Sequence, residues 1–239
     1  MTPAGRSALL IVAAAVACFA ASAVTKGDPL FLVEAVGVVL VTAWALVAVM
    51  QIGRSAALAR ELREAGVRWS IAGVECCIVP GGRPRAFVAG AWRPAVFVTT
   101  GALDVLTPDE LRAVVLHEAH HARSFAPVRA ALVEAWRGAG QRAPWLGDLL
   151  AARLTALEVE ADRFALSAGT TRRHLASALV RLEGQPGGVG FNGGGDNRLR
   201  ALLDDAASPP RTAPVEWLPL LVLLALAVGC RLAGTAVGV

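Results

Sequence analysis

Apolar residues fall into three uninterrupted runs, set around a middle section in which apolar and charged positions alternate. The first run, Ser7 to Val24, follows Arg6 and carries no charge. The second, Leu30 to Ile52, holds one carboxylate, Glu34, near its start, and the third, Trp217 to Val239, holds Arg231. All three are of the length at which a helix crosses the hydrocarbon layer, about 17–25 residues. Ala21-Ser22-Ala23 also resembles a signal-peptide cleavage site, but a second apolar run begins almost at once, which favours an uncleaved helix. Trp217 suits the headgroup level, and Arg231 is tolerable only if it snorkels to the far interface. The pattern predicts two to three transmembrane helices.

The middle section changes period. Ser55 to about Glu64 continues as a helix out of the second run. Val74 to Val79, Ala86 to Ala89 and Ala95 to Thr99 read as strands, the first two separated by the turn Pro80-Gly81-Gly82-Arg83-Pro84 and the last two close enough to form a hairpin. Helical spacing returns from Pro108 to Arg123, from Pro127 to Trp136 and from Leu146 to Leu166. A further helix, capped by Thr171 and running through Leu182, has Leu175, Ala178, Leu179 and Leu182 on one face. Gly187 to Gly195 is too rich in glycine for regular structure, and Asn197 to Leu203 reads as a short helix. The expected organisation is residues 1–54 as two membrane helices, 55–212 as one domain and 213–239 as the third helix. The class is α+β, mostly helical with a small sheet.

Composition agrees: of 239 residues, 55% are hydrophobic. The net charge of +4 rests on arginine, with Lys26 the single lysine. No interleaving of aromatic and basic residues accompanies it, so nucleic acid is not an expected partner. Arg54, Arg60, Arg63 and Arg68 follow the second run, against Lys26 alone in the loop before it, and that asymmetry predicts a multi-pass protein of the cell membrane whose domain faces the cytoplasm. Cys18, Cys76, Cys77 and Cys230 form no disulfide framework and no spaced metal pair, which suits a reducing compartment.

The candidate chemistry lies in His117-Glu118-Ala119-His120-His121. Thr107-Pro108-Asp109-Glu110 supplies an N-cap, a proline at the first helical position and a glutamate at the third. Leu111, Val114 and Val115 then set an inward face whose next place is Glu118. Residues four apart stack on one helix face, so His117 and His121 can offer two imidazole nitrogens to one ion. His120 is also a near neighbour of His117, but only the 117–121 pairing leaves Glu118 where such sites carry the general base. A second helix bears Glu158-Val159-Glu160-Ala161-Asp162. Glu158 is the expected third ligand, Asp162 one turn on could orient an imidazole, and Glu160 lies off that face. Two histidines and a carboxylate form a hydrolytic donor set for one zinc ion per chain. The sequence has no tyrosine, so a phenol is excluded as a donor to the transition state. Asn197, Arg198, Arg163 and His174 remain, His174 on what reads as a structural helix. Phe87-Val88-Ala89-Gly90 could bind an extended substrate by strand addition, or could simply pack in the core.

Several segments taken together resemble the membrane gluzincin peptidases: Ala86-Phe87 with Gly90, Val96 through Leu103, Leu106 through Leu111, the H-E-x-x-H and the E-x-x-x-D. The resemblance covers roughly residues 70 to 205. Two groups share that order, the BlaR/MecR antirepressor peptidases and the HtpX/CAAX prenyl protease group. The resemblance implies a zincin-like fold, zinc held by His117, His121 and Glu158, and Glu118 as catalytic acid and base. Arg198-Leu199-Arg200-Ala201-Leu202 is similar to the arginine motif of the HtpX group, without the histidine-proline pair that precedes it there. His120-His121-Ala122-Arg123 looks more like the BlaR/MecR side, without an extracellular penicillin-binding domain. The activity that the resemblance implies is that of a membrane-anchored zinc endopeptidase acting on a cytoplasmic protein such as a transcriptional repressor. The alternatives are an HtpX-like protease acting on membrane proteins, or a non-catalytic membrane protein stapled by zinc. An intact Glu118 speaks against the last.

Overall fold

A computed structural model describes residues 29–136, 141 and 144–183. The runs at 7–24 and 217–239, and with them Asn197, Arg198 and the glycine-rich segment, lie outside the described residues. Contacts divide the chain into two units, one of them Met50–Ala213. That second unit, entered by a single long helix, contains the sheet and the helical layer.

The entering helix, α1, runs without a break over Pro29–Ala65, joining the second apolar run to its predicted extension. Among the described residues it is the one helix long and apolar enough to cross a membrane. Four strands come next in the chain: β1 Val67–Ile71, β2 Val74–Val79, β3 Ala86–Ala89 and β4 Ala95–Thr99. They form one sheet in the order β1-β2-β4-β3. The predicted hairpin is there, β3 running antiparallel to β4 with Phe87 opposite Phe97. Two features depart from the expected pattern. Strand β1 pairs antiparallel with β2 through a two-residue turn, Ala72-Gly73, in which both residues have positive φ. Strands β2 and β4 pair in parallel.

Side chains alternate cleanly along β2, β3 and β4, as a two-residue period requires. Cys77, Val79, Phe87, Ala89, Ala95 and Phe97 face one way and pack on Ala59 and Leu62 of α1. Cys76, Ile78, Ala86, Val88, Val96 and Val98 face the other way and meet Val114 and Val115 from the third helix and Ala178 from the last. These three strands are thus covered on both faces, by the extension of α1 on one side and by the helical layer on the other, while Val67 to Ser70 of β1 are exposed. Gly66 makes the tight exit from α1 possible: a Cβ there would lie 2.4 Å from the Cys77 sulfur.

A six-residue helix, α2 (Thr100–Val105), extends from β4, where the apolar spacing alone predicts no element. Thr99 caps it, and the same hydroxyl donates to the Arg83 carbonyl at 2.8 Å. Helix α3 (Pro108–Arg123) begins with the predicted box: the Thr107 hydroxyl accepts from the Glu110 backbone N–H, and Glu110 Oε2 accepts from the Thr107 N–H at 2.8 Å. Helices α4 (Ala126–Glu134), α5 (Pro144–Ser167) and α6 (Arg172–Glu183) complete the layer. Gly169, with φ of 90°, ends α5, and Thr171 caps α6 through the His174 N–H. Ala113 and Leu116 of α3 join Ala165 of α5 and Leu175 of α6 in one cluster. Helix α3 is therefore buried on nearly all sides, as a helix at the centre of a domain must be.

Candidate metal centre

Polar residues on a buried helix must find partners, because an unpaired polar group away from water costs free energy. On α3 these are Glu110, whose partners lie in the capping box and on the last helix, and His117, Glu118 and His121, each no more than 6% exposed. The partners of the two histidines come from α5, which packs alongside.

Glu158 sits opposite the two imidazoles. Its Oε2 lies 3.4 Å from His117 Nε2 and its Oε1 3.4 Å from His121 Nε2, while the two Nε2 atoms stand 3.0 Å apart. All three residues offer a ligand atom within 4.8 Å of the others. A tetrahedral ion with bonds of about 2.0–2.2 Å holds its ligand atoms about 3.3–3.6 Å apart, which the two 3.4 Å separations match, while the two nitrogens stand slightly closer than that. The orientation fits too. His117 Nδ1 lies 2.8 Å from Asp162 Oδ1. A proton on Nδ1 facing that carboxylate leaves Nε2 with its lone pair turned toward His121 and Glu158, the arrangement found where a carboxylate orients a metal-binding histidine. Asp162 is itself 4% exposed, so this contact forms away from solvent screening.

Helix geometry produces the rest. His117 and His121 are one turn apart on α3, as Glu158 and Asp162 are on α5, so two facing stripes supply four groups. Glu118 follows His117 directly and is as deeply buried. His120 goes elsewhere: its ring lies 5.3 Å from that of Phe164 on α5, and it is not in the group of three. Burial, reinforced by the neighbouring His121, holds the His120 imidazole below its usual range. Glu160 is half exposed and 3.8 Å from Arg153.

Two residues of α5 outside this group have no counterpart among the sequence expectations. The Phe164 ring, under His120, also receives the Arg123 guanidinium at 5.1 Å from its centre, so α3 and α5 are stitched together beside the ligand stripe. An aromatic two residues after Asp162 carries no spacing signal, and only the packing reveals it. Arg153 is buried, against the ordinary habit of arginine. Of the donors considered for the transition state, Arg163 is exposed and His174 is half-buried on α6. Strand β3, with Phe87 to Ala89, is an outer strand of the sheet, and Phe87 stacks on Phe97 with ring centres 5.6 Å apart.

No curated protein and no solved structure matches the chain. Over residues 51–136, which take in the lower part of α1, the whole sheet and α2 to α4 but stop short of Glu158, the chain matches the model of peptidase family M48.

Proposed function

We propose that this chain is a membrane-anchored, zinc-dependent endopeptidase. The observation that carries the reading is the convergence of His117, His121 and Glu158, with Asp162 behind His117 and the buried Glu118 beside it. The match to peptidase family M48 supports the metallopeptidase class without reaching the level of a subgroup. His117, His121 and Glu158 would hold the ion. Zinc, when bound there, supplies a Lewis acid for the peptide carbonyl and lowers the pKa of water.

The remaining work belongs to the protein's own groups. Glu118, shielded from solvent, accepts the proton of the attacking water and returns it to the leaving amine, the role of a positioned general base and acid. Asp162 holds the His117 ring in one tautomer. The outer edge of β3 can take an extended peptide as a further strand, which fixes the scissile bond without reading its side chains. Arg198 is our candidate for the additional donor to the transition state.

Helix α1 anchors the domain, with residues 1–54 and 213–239 as membrane segments around a peptidase domain of residues 55–212. The arginines that follow Ile52 support a cytoplasmic orientation for that domain. The substrate class that fits this orientation is a cytoplasmic protein such as a transcriptional repressor, cleaved as by a BlaR/MecR-type peptidase.

The test separates ligands from base. His117→Ala, His121→Ala and Glu158→Ala each lose bound zinc, measured on purified protein by metal analysis. Glu118→Gln keeps zinc and loses turnover of a casein or repressor substrate by about 10²- to 10⁴-fold. His120→Ala keeps its zinc. A Glu118→Gln variant as active as the wild type would end the peptidase reading.

A further inference from the structure

The most exposed large apolar side chain among the described residues is Trp92, at 84%. It does not sit on a loose loop. The turn between β3 and β4 is clamped to α1 at both ends: the Gly90 N–H donates to the Ser55 hydroxyl at 3.1 Å, and the Arg63 guanidinium donates to the Arg93 carbonyl. Gly90 has φ of 107°, and a Cβ on it would lie 2.8 Å from the Arg93 oxygen and 3.4 Å from Ala59 Cβ, so the turn is tight and pressed on the helix. Ala91 is buried. Between this buried alanine and the clamped Arg93, the Trp92 indole projects outward.

The height of this turn along α1 is what gives it meaning. The uncharged stretch of the helix ends at Ile52, and Gly53 and the exposed Arg54 come next. At 1.5 Å per residue, Ser55 lies about 4.5 Å beyond Ile52 and Ala59 about 10 Å beyond it, for a helix along the bilayer normal. The headgroup layer on each side of the hydrocarbon is about 5–7 Å deep. The Gly90 end of the turn, tied to Ser55, therefore lies within that layer, while the Arg93 end, tied to Arg63, points away from it. Trp92 follows Gly90 by two residues, and at headgroup level an indole is favoured because its ring is apolar and its N–H can stay hydrated. Arg54, Arg60 and Arg93, all exposed, bring positive charge to this end of the helix, which matches lipid phosphate.

We propose that Trp92, with Arg93, forms a peripheral attachment of the domain to the membrane, in addition to its helical anchors: a phospholipid-headgroup contact, strengthened by anionic lipid, made by the β3–β4 turn. This rests on the reading that α1 crosses the bilayer. The test uses the full chain in proteoliposomes. The Trp92 signal is the fluorescence of wild type minus that of Trp92→Phe. It should be lost in lipid brominated near the headgroup end of the acyl chains and largely kept in lipid brominated near the methyl end. The loss should deepen when phosphatidylglycerol replaces part of the phosphatidylcholine, and Arg93→Glu should abolish that deepening. Alkaline carbonate extraction of the same vesicles reports the anchor separately. Retention in the membrane with a Trp92 signal quenched by aqueous iodide but by neither lipid overturns the contact and leaves the anchor standing. A signal reached by neither iodide nor lipid means a protein or a second copy covers Trp92, and also overturns it. Release by carbonate overturns the anchor, and the contact with it.

Discussion

Replacing Glu110 with glutamine tests how the helix that carries His117 and His121 is held. Glu110 is 4% exposed and does two jobs. Within α3 it closes the capping box with Thr107. Across the domain it accepts from the Ser177 hydroxyl and lies 3.1 Å from Arg181 Nε, both on α6, while Arg181 also donates to the Val105 carbonyl at 2.8 Å. Burial opposes its charged form, yet the hydrogen bonds from Ser177 and from the backbone and side chain of Thr107, with Arg181 beside them, hold its carboxyl below the usual carboxylate range. Glutamine keeps the shape but loses the charge, and it turns an NH₂ toward one of the donors. Hydrogen bonds to a charged group are worth about 1.5–3 kcal/mol, and losing a cap costs about 1. The half-exposed Arg181 adds little, since solvent screens it. Allowing for overlap between these terms, the expected loss is about 2 kcal/mol, an apparent Tm drop of about 4–8 °C for a domain of this size. The pH dependence carries the sign. A carboxylate with a depressed pKa stabilises the fold above its unfolded pKa, and the contribution disappears as pH falls through the folded value. The gap between wild type and Glu110→Gln should thus be constant from about pH 8 to about 6, start to narrow near the unfolded glutamate pKa of about 4.3, and close only as pH falls through the lower folded value. Metal-free protein in detergent, melted with tryptophan fluorescence as the probe, gives both curves. A gap that persists unchanged at low pH, or one under about 0.5 kcal/mol at neutral pH, would refute the reasoning.

Three other outcomes are expected. Asp162→Asn should weaken zinc binding by about 10- to 100-fold in a chelator competition, because His117 loses the group that fixes its tautomer. Gly101→Ala should destabilise the domain by about 1–3 kcal/mol in the same melts, since the added Cβ would lie 2.4 Å from the Gly82 carbonyl oxygen, on backbone that cannot step aside. Asp104→Cys, at an exposed position on α2, should resist membrane-impermeant thiol reagents in intact cells and react after lysis; labelling in intact cells would reverse the topology.

Local order makes much of this molecule readable from its residues. The capping box at Thr107 and the four-residue step from His117 to His121 are helix rules, and the helix obeys them. The meeting of Glu158 with the two histidines is within reach because Glu158 and Asp162 repeat the one-turn step on the next long amphipathic run. Strand β1 is not legible. Val67 to Ser70 are all exposed, so no alternation marks them, and the turn after the strand is Ala72-Gly73 rather than an asparagine- or aspartate-glycine pair. The parallel pairing of β2 with β4 depends on β3 folding back on the outside, which no local pattern encodes. The second job of Glu110 is hidden for the same reason: Ser177 is 67 residues away, and a capping signal says nothing about a helix that arrives so much later.

Cys76 and Cys77 are consecutive in β2, and consecutive strand residues point to opposite faces. Cys77 packs with Ala59 and Phe97 against α1, its sulfur 3.7 Å from the Leu62 carbonyl, while Cys76 packs with Val114 and Val115 under α3. Burial, with Cys77 beside it, pushes the Cys76 thiol pKa up, so it stays protonated and slow to react while the layers are closed. The two adjacent thiols therefore report on different seams. Alkylation at Cys77 ahead of Cys76 would record α1 peeling from the sheet first, and the reverse order would record the layer of α3 lifting away, so a time course of one peptide gives the order in which the domain comes apart.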